Sequence, residues 1–247
     1  MRAIGISFIA IAICGTATAQ SGLYSVHDLF ALINGQGHIA AGSRDFNPGT
    51  DTVTSVLSRG GPAFLTQPFD RAGQQFSIDD SPNSGSALPG NAIAVYTDRR
   101  TSTDDFRFTT GYGSLEISVR RGTGLNDGDF DGNYSYHALI SASNGDWHNR
   151  FGGVTADGDG TFVLALEGIP VFAHTYDVTS NGQTEIDGAP VRLATLGFNG
   201  ALVVQSLDVA TAVDPLITQE HTGLAFYVRR ATSASNSLIR GTYRVHE

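Results

Sequence analysis

One phrase, used three times, carries the residues best able to do chemistry. Gly-x-Tyr-x-x-His begins at Gly22, Gly132 and Gly241, and it ends each time on a histidine: His27, His137 and His246. Three imidazoles can hold a zinc ion if their nitrogens converge to about 2.0–2.1 Å from it. A repeated motif is first a requirement of a repeated fold. The histidines are therefore read as hydrogen-bonding groups at strand ends, with the glycine letting the tyrosine pack over a neighbouring strand.

A second cluster is acidic. Asp127, Asp129 and Asp131, followed by Gly132, have the D-x-D-x-D-G spacing whose alternate oxygens wrap a hard cation. Position twelve is Ala138 rather than the bidentate glutamate of a calcium loop, and the aligned stretch of the later copy, "NSLIRGT", has no acid. The favoured reading is an acidic turn. Structural calcium at these three aspartates is the one cofactor the sequence suggests.

The arginine pairs Arg120-Arg121 and Arg229-Arg230, with Arg99-Arg100 as a degenerate case, end matching strands. Neighbours on a strand point to opposite faces, so such a pair makes no bidentate clamp. One arginine of each is expected to satisfy carbonyls or an aspartate at a barrel end.

The candidate binding residues are Asp146, Trp147 and His148, in "NGDWHNR". Trp147 is the sole tryptophan, and this stretch differs from its counterpart in the earlier copy. An exposed indole there could stack on a sugar or a partner; the structural alternative is packing beside a hairpin. No catalytic residue can be named. The chain has no G-x-S-x-G, no H-E-x-x-H, no phosphate-binding glycine loop, and one cysteine, Cys14. The expected function is an exported, non-enzymatic β-protein acting as a surface, matrix or ligand-binding module. The alternative is a secreted hydrolase using carboxylates and histidines of copy-specific loops, such as Asp146, His148 and His174, because two-carboxylate chemistry leaves no local signature.

The elements that must position these residues follow from the repeat. Leu115–His137 aligns without a gap on Leu224–His246, 109 residues apart (115 to 224), and Gly22 lies 110 before Gly132. The expectation is two tandem units of about 110 residues, at 20–130 and 131–247. Leu115, Ile117 and Val119 alternate with Glu116 and Ser118, and Leu224, Phe226 and Val228 keep the apolar phase, which reads as the core face of a half-buried strand. Further strands are predicted at 92–97, 161–167 and 201–207. Asn34-Gly35, Asn144-Gly145, Asp157-Gly158, Asn181-Gly182, Asp187-Gly188 and Asn199-Gly200 supply hairpin turns. The class is all-β, antiparallel, barrel- or sandwich-like, with one short helical turn predicted near Val26 to Ile33. The first and last strands of each unit are expected to pair, which removes exposed edges. A glycine and an aromatic on an early strand, with an arginine late in the chain, is similar to the pattern of lipocalin-type barrels, with tyrosine in place of their tryptophan. Three residues do not assign that family.

The leader "MRAIGISFIAIAICGTATAQ" joins Arg2, an apolar run and a small-x-small site, so residues 1–19 read as a cleaved signal peptide. Ile13 disfavours lipidation of Cys14. Cleavage leaves no cysteine, so stability rests on the core rather than on disulfides. No other apolar run approaches the roughly 20 residues of a spanning helix. All 15 basic residues are arginine, and the net charge of −9 becomes −10 without Arg2. An acidic, lysine-free chain argues against nucleic acid and anionic lipid as partners. The expected location is periplasmic or secreted, and the expected partner is an extracellular ligand or surface component.

Overall fold

Period-2 alternation and positive-φ turns build the chain almost entirely from antiparallel strands. The computed structural model describes residues 22–32, 37–59, 65–72, 75–78, 84–87, 93–100, 112–188, 194–197, 200–207 and 221–231. Eight strands close a first barrel: β1 (Gly22–Leu32), β2 (Gly37–Asn47), β3 (Thr52–Arg59), β4 (Leu65–Ala72), β5 (Gln75–Ile78), β6 (Ser84–Ala87), β7 (Ile93–Arg100) and β8 (Tyr112–Arg120). Eight more close a second: β9 (Asp131–Ala142), β10 (Trp147–Asp157), β11 (Thr161–Leu166), β12 (Phe172–Val178), β13 (Gln183–Ile186), β14 (Ala194–Leu196), β15 (Leu202–Leu207) and β16 (His221–Arg229). The closing pairs are β1 with β8 and β9 with β16, so each Gly-x-Tyr-x-x-His copy among the described residues lies on a first strand. The third copy, with His246, lies outside the described residues, as does Asn34-Gly35. No helix among the described residues is long and apolar enough to cross a membrane.

The ladders repeat with the sequence. Tyr24 pairs with Arg44 and Arg120; Tyr134, 110 residues later, pairs with Val154 and Arg229. Turns form where glycine supplies positive φ: Gly145, Gly158, Gly182 and Gly200 lie at 86°, 77°, 85° and 67°, and Asp187 joins Gly188 at 56° and 61°. The helical turn expected from Val26 does not form. The segment is β1, because strand pairing on both sides satisfies every backbone group that a lone turn of helix would leave exposed.

The second barrel is a filled core. Tyr134, Tyr136, Val154, Phe162, Leu164, Tyr176, Ile186, Leu196 and Tyr227 point inward and are buried. Its lower end is stoppered by the 3₁₀ helix Asp127–Phe130, which delivers Phe130 into the aromatic cluster. Phe130 meets Tyr134 and Tyr176 edge-on, each at 4.9 Å between centroids. Such pairs contribute about 0.5–1.5 kcal/mol beyond area burial. Over the stopper lies Arg229, 5.8 Å from the Tyr134 ring centroid, donating to the Asp131 carbonyl. Tyr134 donates its hydroxyl to the Gly200 carbonyl at 3.0 Å, and burial pushes the phenol up to about 12, so it stays a neutral donor. Arg230 donates to Ser135 at 3.2 Å, and Arg121 donates to Ser25 at 3.1 Å, the same bond in the other copy.

The first barrel is lined differently. Asp28, Arg44, Ser55, Glu116 and Ser118 share its interior with Tyr24, Val26, Phe46, Val53 and Ile78, and all are buried. Asp28 and Glu116 are direct partners across the β1–β8 ladder. Arg44 forms an ion pair with Glu116 and donates to Ser55 at 2.9 Å, while Ser118 donates to Glu116 at 3.2 Å. The alternation in β8 therefore runs opposite to expectation: Glu116 and Ser118 face the interior, and Ile117 and Val119 face out.

They face out because the outside is also buried. Leu29, Ile39, Ile117 and Val119 form one cluster with Leu202, Val204 and Leu224 of the second barrel, flanked by Leu115, Leu139, Trp147, Phe226 and Val228. Alternation reports which face is dry, and here the dry face of β8 and β16 is the seam between barrels. Gly37 sits in this seam, its N–H donating to Ser141 at 2.8 Å and its carbonyl accepting from Thr222 at 2.9 Å. A Cβ on Gly37 would lie 2.4 Å from the Cβ of Ser141, so the approach requires glycine.

Candidate functional site

The outer faces of β1 and β9 begin from the same motif and end in different surroundings. On β1 the face is Ser25, His27 and Leu29, all buried. His27 is 0% exposed; its Nδ1 lies 2.9 Å from Ser206 Oγ and its Nε2 lies 2.9 Å from Thr195 Oγ1, both on the second barrel. Burial drives its pKa from 6.5 down to about 3, so the ring is neutral, one nitrogen donating and the other accepting. His27 is thus a polar rivet in an apolar seam.

On β9 the equivalent His137 is exposed. Its cross-strand partners are Phe226 on β16 and Phe151 on β10, and the next position around the barrel is Glu167, whose N–H donates to the Phe151 carbonyl at 3.3 Å. One row on the outer wall therefore reads Phe226, His137, Phe151, Glu167. Directly opposed residues on a sheet have Cβ atoms about 4.5–5.5 Å apart, so their side chains form one surface. Phe151 is 53% exposed, and nearby Val163 and Val171 are 42% and 63% exposed. A shallow groove of about 280 Å³ runs beside the row, lined by Asn149, Arg150, Phe151, Glu167, Gly168 and Ile169. In the first barrel, Ile39 and Ala41 stand where Asn149 and Phe151 stand here, and both are buried.

The residues singled out from sequence are not brought together. Asp146 lies in the β9–β10 turn, accepting from Asn144 Nδ2 at 2.7 Å and donating its N–H to Asn144 Oδ1 at 3.0 Å. Trp147 is half-buried and packs against the seam, with its ring about 3.0 Å from where a Cβ on Gly37 would be. His148, the next residue on β10, points to the opposite face. His174 is paired with Asp187 at 2.8 Å and stacked on Phe162 at 5.0 Å, with Asp187 held in turn by the Thr175 N–H at 2.9 Å.

Two of the three aspartates brace the stopper with their side chains, and Asp131 is its backbone C-cap. Asp127 accepts from the Val178 N–H at 2.7 Å and Asp129 from the Asn126 N–H at 2.9 Å, closing a capping box with Asn126. Among the described residues no three His, Cys, Asp or Glu side chains are placed to hold a metal ion. The melting temperature is expected to be the same in excess calcium and in chelator. A calcium-dependent rise of several degrees would instead assign Asp127, Asp129 and Asp131 a ligand role.

Sequence reasoning missed Phe151, Glu167 and Asn149 because an exposed phenylalanine carries no motif. The usable signal was the comparison of copies: phenylalanine and asparagine replace alanine and isoleucine at positions that otherwise repeat. No protein-family model matches the chain, and no curated protein matches it. Among solved structures, it is similar to a protein of unknown function from the DUF3598 family of Nostoc punctiforme, at 11% identity and TM-score 0.29, covering 84% of this chain and 94% of that one. It is also similar to a mutant of the vaccine antigen transferrin binding protein B from Haemophilus parasuis, at 10% identity and TM-score 0.30, covering 86% of this chain and 76% of that one. At scores this low neither likeness bears on what the chain does.

Proposed function

We propose that the protein is an exported, non-enzymatic binding module of two tandem barrel units. The first barrel docks and rigidifies the second, which presents its binding surface on the outer wall of β9, β10 and β11. One observation carries this reading: His27 and Ala41 are buried in the first barrel, while the residues at the same places in the second, His137 and Phe151, are exposed. Phe151 and Asn149, standing where the first barrel has the buried Ala41 and Ile39, lie in water and add nothing to the core. Export is supported by the apolar leader with its small-x-small cleavage pattern.

The test is retention on outer-envelope and cell-wall fractions, comparing wild type with F151A and E167Q. Both positions are exposed, so the variants should keep the wild-type melting temperature while retention falls by about tenfold or more, the scale of a central aromatic contact. Retention equal to wild type in both would contradict the reading.

The loop residues Asp146, His148 and His174 are not brought together, so a hydrolase reading rests on other residues, the directly opposed buried carboxylates of Asp28 and Glu116 inside the first barrel. It predicts glycoside or ester hydrolysis that is lost in D28N and unchanged in F151A.

A further inference from the structure

We infer that the ligand of the β9–β11 wall is a neutral saccharide. The inference rests on the binding-module reading and adds the ligand class to it. Phe151 offers a phenyl face, more than half exposed, beside a shallow groove open on one side. The other groups at the groove and along the row are an amide (Asn149), a carboxylate (Glu167), a guanidinium (Arg150) and an imidazole (His137). A pyranose ring has an apolar face of axial C–H bonds and an equator of hydroxyls. The first suits stacking on an aromatic ring, and the second suits planar amide, carboxylate and guanidinium groups that each exchange two hydrogen bonds.

Charge narrows the class. Arg150 and Glu167 flank the groove with opposite signs, so neither an anionic nor a cationic ligand is favoured by the local field. A peptide strand would need an open sheet edge, and the ladders of both barrels are closed. An apolar ligand would leave Asn149 and Glu167 unpaired on binding. A neutral, hydroxyl-rich ring satisfies the aromatic and both polar groups together. The row continues from Phe151 to the exposed His137 on the next strand, so an oligosaccharide has more to contact than a single sugar.

The experiment is isothermal titration of the whole chain with cellotriose, maltotriose and triacetylchitotriose, followed by competition of each against retention on cell-wall material. At least one trisaccharide should bind with a Kd of about 1 mM or tighter and displace the retained protein. F151A should weaken that binding about tenfold or more, F151W should preserve or tighten it, and N149A and E167Q should each weaken it. If F151A abolishes retention on cell-wall material but no trisaccharide binds or competes, the saccharide assignment falls and the binding face stands. If neither retention nor sugar binding responds to F151A, both fall.

Discussion

Acid should separate the two barrels' seam before it disturbs their interiors, and His27 should be the cause. In the folded chain the imidazole is neutral, with its pKa lowered by burial to about 3 from an unfolded value of 6.5. Between these values the unfolded chain binds the proton and the folded chain does not. Stability from this group is therefore complete above pH 6.5 and is lost as pH falls toward 3. The slope is about 1.4 kcal/mol per pH unit, so roughly 3 kcal/mol is lost by pH 4.5 and more as pH falls toward 3. Urea unfolding of wild type and H27Q at pH 7.5 and 4.5 isolates the effect, since other titrating groups are common to both. The amide of glutamine both donates and accepts, so H27Q should be near wild type at pH 7.5 and lose about 2–3 kcal/mol less on acidification. H27F leaves the Ser206 and Thr195 hydroxyls without the imidazole, at a cost of about 1–3 kcal/mol at neutral pH. Equal acid sensitivity in wild type and H27Q would remove His27 from the account.

The second large effect belongs to the first barrel's interior. Replacing Arg44 by methionine fills its volume but leaves the Glu116 carboxylate buried without its cation and directly opposite Asp28. Breaking one side of a buried pair costs about 3–5 kcal/mol. Replacing both partners, as in R44M/E116L, removes the charge with its partner and should recover most of that loss. Because the second barrel has an apolar core of its own, R44M should unfold in two steps, the first barrel at lower urea. The reading is checked by tyrosine and Trp147 fluorescence across the titration. A single transition at the wild-type midpoint in R44M would show the pair to be dispensable.

The all-β class and the turns at Gly145, Gly158, Gly182, Gly188 and Gly200 follow from local chemistry, the pairing of first with last strands follows from the repeat, and these were legible in the chain. Strands such as 161–167 and 201–207 read correctly because alternation and Asn-Gly or Asp-Gly turns are short-range signals. Which side of an alternating strand faces inward was not legible. Leu115, Ile117 and Val119 look like core, and they are, but of the seam with the second barrel rather than of their own barrel. Asp28, Arg44 and Glu116 went unnoticed for the same reason, since charged residues in the polar phase look like solvent-facing ones. The motif histidines illustrate the limit most clearly. His27 and His137 occupy the same place in the same phrase, and only the docking of one barrel on the other makes one a buried rivet and the other part of an exposed face.

That difference is the centre of the account, and covalent labelling measures it directly. Brief treatment with diethyl pyrocarbonate at pH 7, read site by site by mass spectrometry, reports which imidazoles meet solvent. His137 should be modified readily and His27 should remain unmodified until the chain unfolds. Prior binding to cell-wall material should protect His137 while leaving other exposed histidines unchanged. Modification of His27 at the rate of His137, or a His137 that labels equally with and without bound cell-wall material, would contradict it.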